Sequence, residues 1–279
     1  MIQKIDGKDL AEKLLLELKG KPKPKKILAA VLVGDNPASI SFLKQKEKIA
    51  HELGVDFRLY QFNKPEQLTN DFLRAEVGKI SHQKSIGGVL VQLPLPTSLN
   101  RHYVLNAVPR EKDVDVLGER ALGAYYANRN PVLPTVVSTV QRVLEFVEFD
   151  VSHKKIAVVG LGFLVGQPIA TYLMARASDL YLLDQGFDPA ILKECDLVIS
   201  CVGRTGLIQP SALKEGAGVI DFGYSFLGGK IKGDLEVDDP ALSKLSFYTP
   251  TPGGTGPILV TQLFRNFYLL NPYDTTTLE

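Results

Sequence analysis

At 279 residues the chain is long enough for two ordinary domains, each able to bury its own core. Its 32 lysines and arginines stand against 31 aspartates and glutamates, a formal charge of +1 that gives no overall pull toward nucleic acid or an anionic membrane. No apolar run approaches the roughly 20 residues of a membrane span, and the stretch Met1 to Asp6 lacks the apolar core of a secretory signal, so the chain reads as cytoplasmic and soluble.

Apolar runs alternate with helical patterns almost throughout, which is the mark of βαβ units around a mainly parallel sheet. Asp9 to Leu18 carries apolar positions at helical spacing, and Ile27 to Val33 reads as a strand. The turn Gly34-Asp35-Asn36-Pro37 leads into a long helix, Ala38 to Leu53, followed by a strand over Asp56 to Gln61 and a helix over Leu68 to Ile80. The next strand, Gly87 to Val91, ends abruptly on Gln92, Pro94 and Pro96, because proline cannot donate to a sheet ladder. In an open parallel sheet the carboxyl ends of the strands border the ligand crevice, so the Gln92 amide lies where a substrate is held.

Pro131 to Pro134 interrupts the pattern, and Val136 to Val147 reads as a helix tying two domains together. Strands then follow at Lys155 to Val159, Leu180 to Leu183, Leu197 to Ser200 and Val219 to Asp221, with a helix over Pro168 to Arg176. The last helix, Pro257 to Leu270, has no obvious place in the second half. It is expected to return across the domain boundary and to put the glycine-rich loop before it inside the interdomain cleft. The fold class expected is α/β with two βαβ-type domains: 1–134 plus 258–279 as a catalytic domain, and 135–257 as a Rossmann-like dinucleotide-binding domain. The tail Tyr273 to Glu279 is expected to fray.

Lys155 to Val159 runs directly into Gly160-Leu161-Gly162-Phe163-Leu164-Val165-Gly166 and then a helix. A strand, a tight glycine turn and a helix N-terminus offer bare amides and the positive end of a helix dipole, both suited to a pyrophosphate. The following strand ends on Asp184, about where a ribose-binding carboxylate is expected. Gly160, Leu161, Gly162, Gly166, Asp184, Gln185 and Gly203 are therefore the candidate cofactor-binding residues. Cys195 and Cys201 fit neither a zinc site nor a disulfide framework, and His51, His82, His102 and His153 show no ligand spacing, so no metal is expected.

Several motifs, in order along the chain, resemble those of the bifunctional methylenetetrahydrofolate dehydrogenase/cyclohydrolase family. Pro37-Ala38-Ser39-Ile40-Ser41-Phe42-Leu43-Lys44-Gln45-Lys46 is similar to the family's PASxxYVxxK, Val91 to Pro96 to its VQLPLP, and Lys112-Asp113-Val114-Asp115 to its KDVDG up to the glycine. Thr249 to Pro257 is similar to TPVPGGVGP, and the Gly160 segment to GRSxxVGxP; Gly223 and Gly233-Asp234 match the family's DVG and GDV positions.

The resemblance implies tetrahydrofolate substrates: oxidation of 5,10-methylenetetrahydrofolate by hydride transfer to NAD(P), then hydrolysis of the methenyl product to 10-formyltetrahydrofolate. It implies Lys46, Gln92 and Asp115 as the catalytic set, with Asp115 binding the pteridine, and Phe42, Pro252, Gly253 and Gly254 as substrate-binding residues. A homodimer is implied as well. Phe42 stands for the family's tyrosine, Val116 for the glycine after Asp115, and Pro134-Thr135-Val136-Val137 for PCTP. The lost hydroxyl makes the hydrolytic step the more vulnerable of the two.

NADP is the family default, bound by an Arg where this chain has Leu161 and a His-Ser pair where it has Asp184-Gln185. A carboxylate repels a 2′-phosphate and accepts hydrogen bonds from a free ribose hydroxyl, so the local chemistry favours NAD. Three alternatives stay open: a monofunctional NAD-dependent dehydrogenase with weak or lost cyclohydrolase activity, a dehydrogenase of another small substrate, and a non-catalytic nucleotide-binding relative.

Overall fold

The computed structural model describes residues 2–64, 66 and 68–272, so the expected frayed tail Tyr273 to Glu279 lies outside the described residues. In chain order the elements are β1 (Gln3–Lys4), α1 (Gly7–Lys19), β2 (Ile27–Val33), α2 (Pro37–Leu53), β3 (Phe57–Phe62), α3 (Asn70–His82) and β4 (Ile86–Val91). Then come α4 (Arg101–Leu105), α5 (Glu119–Tyr126), α6 (Thr135–Phe146), β5 (Lys155–Val159), α7 (Gly166–Leu173), β6 (Asp179–Leu183) and β7 (Leu197–Ser200). The chain closes with β8 (Gly218–Asp221), β9 (Ser225–Leu227), β10 (Lys230–Lys232), β11 (Phe247–Tyr248) and α8 (Thr255–Leu270). By contacts it divides into two compact units, Lys13–Thr135 with Val260–Glu279 and Met1–Glu12 with Val136–Leu259.

The unit containing Lys13–Thr135 is built on a parallel three-stranded sheet in the order β3-β2-β4. All seven residues of β2 are buried, which is why its sequence is an unbroken apolar run: a central parallel strand is covered on both faces. After β2 the chain adds one neighbour, β3, and then crosses to the other side for β4. The carboxyl ends of β2 and β4 therefore flank a topological switch point, the place where open α/β sheets hold ligands.

α2 starts cleanly because the Asn36 side chain accepts from the Ser39 N–H at 3.1 Å and Pro37 fits the first turn. It stops at Gly54, whose φ of +64° suits glycine. Leu28, Leu90 and Val114 form the core of this unit with Leu263, Phe264 and Phe267 of α8, so the second part of the last helix packs here.

The other unit has a six-stranded parallel sheet, β1-β11-β8-β7-β5-β6. Val159, Val198, Val219 and Ile208 lie at its core. β5 sits between β6 and β7, so the chain again reverses direction across the sheet at β5, and the carboxyl ends of β5 and β7 make a second switch point. β1 pairs with β11 through Gln3 to Phe247 and Lys4 to Tyr248, which groups the residues up to Glu12 with this sheet, where the sequence reading groups 1–134 together. β9 and β10 form a hairpin around Gly228 and Gly229, both at positive φ, the geometry of a two-residue turn matched to strand twist. Among the described residues no helix is long and apolar enough to cross a membrane.

Candidate active site

α2 leaves the carboxyl end of β2 and carries Lys46, while Gln92 is the first residue beyond β4, so both side chains arise at the first switch point. Lys46 Nζ donates to Gln92 Oε1 at 2.8 Å. The same glutamine donates Nε2 to the Leu93 carbonyl at 2.7 Å, which fixes the amide with its oxygen toward the lysine. Lys46 is only 9% exposed. Burial lowers its pKa from the ordinary lysine value, and the nearby Asp115 charge opposes that shift. Phe42 lies one helical turn before Lys46 and is half-buried, so the two share a face of α2.

Asp115 follows a segment that bridges to β4 through Val89 and Asp113. Its Oδ1 accepts from the Thr135 hydroxyl at 2.9 Å. Asp113 is a neighbour of different character: its Oδ2 accepts from the amides of Leu117 at 2.9 Å and Gly118 at 2.8 Å, closing the turn. Burial pushes the Asp113 carboxyl up to about 6, against the pull of those amides. Val116, in place of the family's glycine, has a φ of +60° and a fully buried side chain. The turn therefore keeps the left-handed backbone that a glycine adopts freely.

In the other unit, Gly160 follows β5 at a φ of +89°, and a β-carbon there would press on Val202. A β-carbon on Gly166 would collide with the Gly160 carbonyl, so the first turn of α7 packs directly against the strand end. Gly162 is exposed with open space where a side chain would project, and α7 begins without a side-chain cap. The Gln167 amide donates to the Gly162 carbonyl at 3.1 Å and Pro168 carries no N–H, so what suits a pyrophosphate here is the positive end of α7 and the close approach that side-chain-free backbone permits.

Leu161 is half-buried beside them, and Asp184 and Gln185 follow β6 on the surface, where Asp184 Oδ1 accepts the Gln185 amide at 2.9 Å. Gly203 lies beyond β7 at a φ of +79°. Its loop is braced by Asp234, which accepts from the Ser200 hydroxyl at 2.6 Å and from the amides of Val202 at 2.9 Å and Arg204 at 2.6 Å. Pro252, Gly253 and Gly254 form the turn from β11 to α8 in this same unit, where the Gly253 carbonyl accepts the Gly7 amide at 2.9 Å. Among the described residues no group of three or more His, Cys, Asp or Glu could hold a metal ion.

Residues 5–115 match the profile of the tetrahydrofolate dehydrogenase/cyclohydrolase catalytic domain, and residues 134–273 match that of its NAD(P)-binding domain. The chain belongs to the tetrahydrofolate dehydrogenase/cyclohydrolase family. Among its relatives, the bifunctional protein FolD of Anoxybacillus flavithermus is 35% identical over 250 residues, covering 86% of this chain and 84% of that one. The crystal structure of the Campylobacter jejuni bifunctional enzyme FolD superposes with a TM-score of 0.90 at 32% identity, over 96% of this chain and 97% of that one. A Trypanosoma brucei FolD structure complexed with NADP and an inhibitor gives a TM-score of 0.87 at 26% identity, over 96% and 97%.

Within the family pattern, the structure joins Lys46, Gln92 and Asp115 in one unit and gathers the cofactor candidates at the carboxyl ends of β5, β6 and β7. Two contributors escaped the sequence reading. Asp234 was matched only as a motif position, and Thr135 was noted only as a departure from PCTP, since a hydrogen bond spanning 20 residues leaves no local pattern.

Proposed function

We propose that this protein oxidises 5,10-methylenetetrahydrofolate to the 5,10-methenyl form with NAD(P), hydrolyses the methenyl form to 10-formyltetrahydrofolate, and prefers NAD. The observation that supports it best is the buried Lys46–Gln92 hydrogen bond at 2.8 Å, made by the two residues that the family motifs single out.

The dinucleotide, when bound, supplies the hydride acceptor; Gly160, Gly162 and Gly166 hold its pyrophosphate on bare backbone. Asp115 takes paired N–H bonds from the aminopyrimidinone edge of the pterin, and Phe42 gives the ring a flat apolar neighbour. Lys46, already hydrogen-bonded through one of its protons, has others to polarise the reacting centre. Burial eases release of its proton, which suits a group that must give and regain one. Gln92 holds the ammonium in place in either charge state, because a carbonyl oxygen accepts from an amine as well. Phe42 cannot contribute the hydroxyl of a tyrosine, so the water-using step relies more heavily on Lys46.

Asp184 and Leu161 carry the preference for NAD. Asp184 stands on the surface at the end of β6, free of any neighbouring arginine in its motif, and Leu161 offers no charge to a 2′-phosphate. Steady-state kinetics with methylenetetrahydrofolate tests substrate, reaction and cofactor together. A higher kcat/KM with NAD than with NADP is expected, and the reverse order would overturn the reading of Asp184.

A further inference from the structure

We propose that Thr135 is a positioning residue for the folate: its hydroxyl sets the Asp115 carboxylate in the orientation that receives the pterin. The proposal rests on the folate-binding reading of Asp115 given above.

A carboxylate recognises a planar pair of N–H donors only when its own plane is aligned with them, yet the terminal torsion of an aspartate is broad and roughly two-fold. Something must fix that torsion before the ligand arrives, or each binding event bears the ordering cost. The Thr135 hydroxyl does so, donating to Oδ1 at 2.9 Å from a buried side chain. Each carboxylate oxygen has two lone pairs, so Oδ1 retains one for the substrate and Oδ2 retains both.

The frame that holds the two partners together is independent of the hydroxyl. Asn266 of α8 is fully buried, and its Nδ2 donates to the Val114 carbonyl at 2.9 Å and to the Leu133 carbonyl at 2.8 Å. Those carbonyls lie one residue before Asp115 and two before Thr135. One side-chain amide thus ties together the two segments whose tips carry the pair. Asn266 holds the register of the two segments through bonds separate from the Thr135–Asp115 pair.

The test is Thr135→Val, which keeps the shape and deletes the donor, alongside Thr135→Ser, which restores it. Loss of one hydrogen bond to a charged group is expected to raise KM for methylenetetrahydrofolate about tenfold. Meanwhile kcat stays within about twofold and KM for the dinucleotide is unchanged, since the interaction is one of ground-state and transition-state binding alike. Thr135→Ser returns KM to near the parent value. In an Asp115→Asn background, Thr135→Val adds little, because its effect runs through that carboxylate; equilibrium binding of tetrahydrofolate reads the cycle where turnover is too slow.

An unchanged folate KM in Thr135→Val, a serine variant as impaired as the valine one, or an undiminished effect in the Asp115→Asn background would each overturn the proposal. If the parent protein turns over no methylenetetrahydrofolate, or if Asp115→Asn leaves folate affinity intact, the folate reading itself fails and the proposal falls with it. A responsive Asp115 beside a silent Thr135 sinks the positioning role alone.

Discussion

Val116 shows how a single residue can be retained against its local preference. A β-branched residue at a φ of +60° carries a left-handed backbone cost of about 1–2 kcal/mol. Its side chain is fully buried, and burying a valine contributes about 1.5–3 kcal/mol, enough to offset the strain. The family's glycine solves the same turn without strain and without the packing. This bears on truncation. In ordinary backbone an alanine is more stable than a glycine by roughly 0.5–1 kcal/mol. At position 116 both lose the valine methyls, but alanine keeps a β-carbon in the left-handed region and glycine does not. Thermal melts should therefore place Val116→Gly at or above Val116→Ala; a clearly lower midpoint for the glycine variant would show that the turn relaxes out of the left-handed region once the valine is gone.

Among the elements, the end of β8 and the loop after β7 work as a braced pair. Asp221, the last residue of β8, accepts from the amides of Gly223 at 2.6 Å and Leu235 at 3.0 Å, while Asp234 ties down the loop that carries Gly203. Burial pushes the Asp221 carboxyl up to about 6, with the Asp234 charge adding to the rise. In the unfolded chain the same group titrates near 3.9. A folded pKa above the unfolded one means the native state binds the proton more tightly. The favourable contribution is then complete below about pH 4 and is lost as pH rises through about 6. The stability of the parent protein relative to Asp221→Asn should accordingly fall between pH 4.5 and pH 7.5, by roughly 2 kcal/mol. Urea unfolding at a series of pH values measures it, and a difference that stays flat or rises with pH would contradict the assignment.

At the scale of the molecule, the sequence was legible wherever burial imposed a long enough pattern. β2, β5 and β7 occupy the spans read from their apolar runs, because central parallel strands are covered on both faces. α2 was legible from the Gly34-Asp35-Asn36-Pro37 turn that precedes it. β1 and β11 escaped because two residues cannot show a period, although their pairing is what draws the N-terminal residues to the six-stranded sheet. The β9–β10 hairpin, with three residues in each strand, and α4, five residues long, escaped for the same reason. α7 begins at Gly166, two residues before the expected start at Pro168, because the glycine permits the helix to pack on the strand end.

At the site, residues inside motifs were legible one by one, and Lys46 and Gln92 meet as the motifs imply. What no motif carries is contact between distant segments, as with Thr135 and Asp115 or Asn266 and the two carbonyls it spans. The central claim is that a buried lysine held by a glutamine does the proton work of a folate enzyme. Its most direct test is hydrolysis of 5,10-methenyltetrahydrofolate, followed at its near-ultraviolet absorbance, by the parent protein and by Lys46→Met. The parent should clear the methenyl absorbance, and Lys46→Met should lose at least about a hundredfold in rate while its melting temperature and dinucleotide affinity stay as in the parent. Full hydrolytic activity in Lys46→Met would contradict the account.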